Sequence, residues 1–130
     1  MKYYIISGGG SGIGRAIAQR LSKDNRNHIL IVGRRSQQLA ETLALLENTG
    51  NHRMMIADIV SLENLQKASK TFPFSTLDGI IANAGLGGAN HFGTSDRWNE
   101  IIATNLTGTY NFVNVFLPFL KNNAQEYKHI

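Results

Sequence analysis

Apolar residues in this chain gather into short unbroken runs that alternate with stretches of helical spacing. Lys2-Tyr3-Tyr4-Ile5-Ile6-Ser7 is a β-branched and aromatic run that stops at a glycine cluster, which predicts a strand. Ile13, Ala16, Ile17 and Leu21 then recur three and four residues apart, which predicts a helix. His28 to Val32 reads as a second strand ending at Gly33-Arg34-Arg35. Ser36 offers an N-cap to a helix carrying Leu39, Leu43, Leu45 and Leu46, with Gly50 as its C-terminal cap. Arg53 to Ala57 predicts a third strand, Ser61 to about Lys70 a short helix, and Leu77 to Ala82 a fourth strand beyond Pro73. A glycine-rich loop follows to Gly93, and Thr94 or Ser95 caps a helix through Thr104. The last helix, Asn105 to about Leu120, is apolar almost all round and is expected to be buried. Strands separated by helices imply right-handed crossovers and a parallel sheet, so the fold class is α/β.

Composition narrows the possibilities. The chain has 130 residues and is 42% apolar, enough for one domain with a real core. Without cysteine there is neither a disulfide framework nor a thiolate metal site. The four histidines (His28, His52, His91, His129) stand at no metal-ligand spacing. The chain opens directly on a strand, which leaves no room for a signal peptide. Its longest apolar stretch, Tyr110 to Leu120, is too short for a bilayer and is interrupted by Asn111, Asn114 and Pro118. A cytoplasmic protein with no membrane partner is therefore expected. A net charge of +4, scattered and without a stacking-aromatic pattern, gives a nucleic-acid partner little support.

The chemistry concentrates in the glycine cluster Gly8-x-x-x-Gly12-x-Gly14. A strand, a glycine turn and a helix together aim a helix N-terminus at a phosphate, and the missing Cβ atoms let the backbone come close. The spacing differs from G-x-G-x-x-G. A G-x-x-x-x-G-K-[ST] loop is excluded, because Arg15 and Ala16 follow Gly14. Three further clusters fall at predicted strand ends: Gly33 to Arg35, Asp58, and Asn83-Ala84-Gly85. In an open parallel sheet ligands bind outside the carboxyl ends of the strands, so the four clusters share one edge.

Ser7-Gly8-Gly9-Gly10-Ser11-Gly12-Ile13-Gly14, Asp58, Asn83-Ala84-Gly85 and Asn105-Leu106-Thr107-Gly108 occur together in this order. On these motifs the chain resembles the first, cofactor-binding half of a short-chain dehydrogenase/reductase. The resemblance implies a Rossmann-like doubly wound parallel sheet, cut after the fourth strand and the helices that follow it. It implies a nicotinamide dinucleotide and hydride transfer to or from the alcohol or carbonyl carbon of a small molecule. By resemblance Ser7, Gly8, Gly10, Ser11, Gly12, Ile13 and Gly14 build the phosphate turn. Asp58 accepts from the adenine amino group beside the Ile59 backbone, and Asn83, Ala84 and Gly85 lie under the cofactor. Asn105 matches the Asn of the family's catalytic tetrad, holding a helix kink and a proton-relay water. Ser7 stands where the family usually has Thr, and Ala82 where it often has Asn.

An NAD-selective site places an acid about twenty residues beyond the glycines. Here that position is Gly33, followed by Arg34 and Arg35. A guanidinium can clasp a 2′-phosphate through charged hydrogen bonds of about 1.5–3 kcal/mol each. NADP(H) is therefore expected over NAD(H), the competing reading being that both arginines are simply solvated. The family's Ser and Tyr-x-x-x-Lys lie beyond the segment that matches Asn105. Within these residues no Tyr has a Lys four positions on, and Lys128-His129-Ile130 resembles the start of a fifth strand. The 130 residues alone are expected to bind cofactor without turnover, with a non-catalytic dinucleotide-binding sensor or interaction module as the alternative. The fourth strand as an edge and the apolar last helix also predict a homo-oligomer.

Overall fold

Strands that read as continuous apolar runs need cover on both faces, and the two central strands receive it here. In the computed structural model, which describes residues 1–87, 96–121 and 130, the strands are β1 (Lys2–Ser7), β2 (Asn27–Gly33), β3 (His52–Ile56) and β4 (Gly79–Ala82). They form one parallel sheet in the order β3-β2-β1-β4. Alternate side chains point to opposite faces. Ile5, Leu30, Val32 and Ile80 enter one core, and Ile6, Ile29 and Ile31 the other. α1 (Gly12–Ser22) and α2 (Ser36–Ala44) close the second core through Ala18 and Leu39. α3 (Leu62–Ser69) and α5 (Thr109–Lys121) close the first through Leu65, Phe112 and Phe116. A short α4 (Trp98–Ile102) and a π-helical turn (Ala103–Gly108) lead into α5. Register aligns the strand ends: Ser7 lies opposite Val32 and Ala82, and Gly33 opposite Ile56. The four chemically unusual segments therefore leave the sheet along one edge.

Three expectations need correction. Ser36 is the first residue of α2, and the extended residue before it is Arg35, which gives no side-chain cap. Gly50 does not end that helix. The helix stops at Ala44, Leu45 and Leu46 bond back to Thr42 and Leu43, and Leu46 is buried. The left-handed residue there is Asn48 (φ 54°), whose side chain donates to Ser22 O at 2.9 Å. The last helix is not buried all round. Phe112, Phe116 and Leu120 form one buried stripe, whereas Tyr110 is 68% exposed. By contrast Ser61 does cap α3, its hydroxyl accepting from Asn64 N at 3.2 Å. The proposed cap at Thr94 or Ser95 and the strand start at Lys128-His129 lie outside the described residues.

His52 opens β3, buried, with Nε2 2.7 Å from Glu47 O. Burial is the largest influence on its imidazole and pushes the pKa down, against the bond to Glu47. The unfolded chain takes up this proton near pH 6.5, while the folded chain resists until lower pH. The contribution is thus intact above about pH 6.5 and is lost as pH falls towards the folded value. Between pH 7 and 5 the melting temperature should fall, and His52→Gln should flatten that fall. Identical profiles for the two proteins would rule the assignment out.

Candidate cofactor-binding cleft

The edge that gathers the strand ends carries a cleft of about 330 Å³. Its floor is the glycine turn. Gly8 N and Gly9 N donate to Val32 O at 2.9 and 3.3 Å, which ties the turn to β2. Gly8 has φ 68°, and a Cβ there would stand 2.9 Å from Ala84 Cα. A Cβ at Gly14 would overlap Gly8 O and Asn83 Nδ2, so only glycine lets α1 close against the turn. Ser11 precedes α1 in an extended conformation without a side-chain cap, and the first turn of α1 contains no acid. The first helical amides and the positive end of the dipole are thereby left for an anion.

The loop after β4 is docked on this turn. Ser7 is buried, and its Oγ accepts from Asn83 N at 3.1 Å and Ala84 N at 3.0 Å. Asn83 Nδ2 donates back to Ser7 O and Gly8 O at 3.3 and 3.4 Å. Asn105, in the π-helical turn, clasps the next loop residue twice. Its Oδ1 accepts from Leu86 N at 2.7 Å, and its Nδ2 donates to Leu86 O at 2.9 Å. Both ends of that amide engage the Leu86 backbone, a positioning arrangement. Gly108 lies so close under Ile59 that a Cβ would reach Ile59 Cγ1 at 2.9 Å, which seats the turn on the first core.

Among the residues expected at the site, Gly8, Gly10, Ser11, Gly12 and Ile13 line the cleft from the turn. Gly33, Arg34, Arg35, Asp58, Ile59, Asn83, Ala84 and Gly85 line it from the other strand ends. Ser7, Gly14 and Asn105 stand behind the wall. Asp58 makes a turn of its own: Oδ1 accepts from Val60 N at 3.0 Å, leaving Oδ2 for a ligand. Ile59 sends its side chain into the first core. Arg34 and Arg35 are exposed, carry no salt bridge among the described residues, and share the cleft lining with one acid, Asp58. Gln38, Val60 and Thr104 also line the cleft, and no sequence pattern marks them. Of the Leu86 to Gly93 loop, residues 88–93 lie outside the described residues. Among the described residues no cluster of three or more His, Asp or Glu is placed to hold a metal ion.

Comparison with known proteins agrees with this geometry. The family model described as short chain dehydrogenase matches residues 2–127. Glucose 1-dehydrogenase 2 of Bacillus subtilis is 30% identical over 131 residues, covering 95% of this chain and 51% of that protein. An oxidoreductase of Sarocladium schorii is 34% identical over 122 residues, covering 92% of this chain and 48% of that protein. The alcohol dehydrogenase of the archaeon Thermococcus sibiricus, solved with 5-hydroxy-NADP, superposes with a TM-score of 0.82 at 29% identity. That match covers 93% of this chain and 54% of the other. A variant of the actinorhodin polyketide ketoreductase solved with NADPH gives 0.79 at 25% identity, covering 89% of this chain and 46% of the other. The chain spans about half the length of the curated relatives it matches. With a Rossmann-like sheet and the glycine turn, Asp58, Asn83-Ala84-Gly85 and Asn105 along one edge, the chain belongs to the short-chain dehydrogenase family.

Proposed function

We propose that residues 1–130 form a single partial Rossmann domain, the NADP(H)-preferring cofactor half of a cytoplasmic oxidoreductase. The whole enzyme would act on a small-molecule alcohol or carbonyl compound. The observation that carries the cofactor preference is the pair Arg34 and Arg35, exposed in the cleft without salt bridges among the described residues, where β2 ends in Gly33 rather than an acid. The relatives solved with NADPH and 5-hydroxy-NADP support the same choice.

The chain's own residues divide the work. The N-terminus of α1 and the amides of Gly10 to Ile13 hold the pyrophosphate. Arg34 and Arg35 hold the 2′-phosphate, and a guanidinium suits it through two parallel charged hydrogen bonds. Asp58 Oδ2 accepts from the adenine amino group, and Asn83-Ala84-Gly85 gives ribose an approach to the backbone. Asn105 keeps the loop at Leu86 in place beside them. When bound, the reduced cofactor supplies hydride. The Tyr and Lys that would handle the proton lie outside these residues, so the 130 residues bind without turning over.

Calorimetric titration of the chain with NADPH and with NADH tests this reading. NADPH should bind at least about tenfold more tightly, the effect of one charged hydrogen bond. Equal affinities would remove the preference, and binding of neither by folded protein would remove the cofactor site. Trp98 in α4, Leu106 in the π-helical turn and Tyr110 in α5 are each more than half exposed, which supports a homo-oligomer. Light scattering at micromolar concentration should report at least a dimer, and a monomer would count against it.

A further inference from the structure

Arg15 follows the last glycine of the turn, yet it does not face the cleft. Its Nη2 donates to Gly10 O at 2.6 Å and lies 3.4 Å from Gln38 O. Its Nε donates to Thr42 Oγ1 at 2.9 Å, and Thr42 is fully buried in α2. Glu41 Oε2 completes the set at 3.4 Å, a half-exposed ion pair that by itself contributes little. The two elements are already close, since a Cβ on Gly10 would come 3.2 Å from Gln38 Cβ. Gly10 and Gln38 both line the cleft. One rigid, planar guanidinium therefore spans from the glycine turn to the helix that begins just after Arg34 and Arg35.

We propose that Arg15 is a positioning residue that fixes the distance between the pyrophosphate turn and the 2′-phosphate site, and so sets the preference for the phosphorylated cofactor. The proposal rests on the cofactor reading above. Two features of the geometry carry it. In a trans peptide the N–H points opposite to the C=O. By holding Gly10 O, Arg15 fixes the plane of that peptide and with it the direction of the Ser11 amide, and Ser11 lines the cleft. The second feature is separation. A ligand with two anionic groups gains from both sites only while their spacing matches its own, and a loosened spacing forfeits the gain even when each site survives. NADPH uses both sites and NADH only one, so the loss falls mainly on NADPH.

Arg15→Met keeps the stem and removes the fork, and Arg15→Lys keeps the charge but cannot reach two acceptors along one planar edge. In both, titration of the chain should show the NADPH-to-NADH preference reduced about tenfold, with the NADH affinity changed much less. A merely structural role would lower both affinities by the same factor, and an unchanged ratio overturns the proposal. Should Arg15→Met fail to fold, Thr42→Val removes the Nε acceptor at constant shape. It should lower the ratio in the same direction by a smaller factor, and no change there is equally fatal. If the unaltered chain itself shows no NADPH preference, the cofactor reading falls and this inference with it. If it shows the preference and the variants keep it, only the role of Arg15 falls.

Discussion

Gly14→Ala should abolish saturable NADPH binding, weakening it by more than about a hundredfold. The added methyl has no room. It would overlap Gly8 O and Asn83 Nδ2, and both belong to the network that joins the glycine turn to the loop after β4. Backbone cannot step aside as a flexible side-chain tip can, so α1 must back away and carry its N-terminal amides out of range of the pyrophosphate. Overpacking of this kind costs roughly 1–3 kcal/mol of stability, and several charged hydrogen bonds to the cofactor go with it. Gly12→Ala is the informative contrast. A Cβ at Gly12 meets nothing within 4 Å, and only its φ of 52° opposes the substitution. That conformation costs a side chain about 1–2 kcal/mol, so Gly12→Ala should lower the melting temperature while retaining far more binding than Gly14→Ala. Thermal unfolding and cofactor titration of the two variants side by side decide the matter. Normal binding by Gly14→Ala would show that the close approach of α1 to the turn is not what builds the site.

What could be read from the sequence follows from the range of the interactions involved. The strands were legible because a parallel sheet covered on both faces writes itself as runs such as Ile29-Leu30-Ile31-Val32, all four residues fully buried. The edge shared by the binding segments was legible too, since it follows from β–α alternation alone. Helix ends were not. Gly50 had the chemistry of a cap, but burial of Leu46 and the bond from Asn48 to Ser22 reversed the chain earlier. That bond joins residues 26 apart, and no local pattern contains it. The same limit hid Arg15, whose partner Thr42 lies 27 residues away, and Thr104, brought to the cleft only by the π-helical turn. Apolar positions all round α5 suggested full burial. The described structure covers one stripe of it, because α3 and β4 reach it from one side only.

Arg34→Ala should weaken NADPH by about ten- to a hundredfold while leaving NADH within a few-fold of its original affinity. Gly33 presents no carboxylate to the ribose hydroxyls, and no acid beyond Asp58 lines the cleft among the described residues. A 2′-phosphate brought there meets two guanidinium groups that need break no existing salt bridge among those residues. No existing pair has to be given up, and what opposes the contact is desolvation and the ordering of two exposed side chains. Both arginines are exposed, so the attraction works through solvent and should be screened by salt. The NADPH preference should therefore shrink as ionic strength rises, and the Arg34→Ala protein should show a flatter salt dependence than the parent. Arg35 sits at the start of α2 and approaches the phosphate from the same loop, so the double replacement should cost more than the sum of the single losses, because in each single variant the remaining cation partly substitutes for the missing one. Equal weakening of NADPH and NADH by Arg34→Ala would place the residue in general support of the loop. It would then transfer the reading of the 2′-phosphate to Arg35, where the same titration can be repeated.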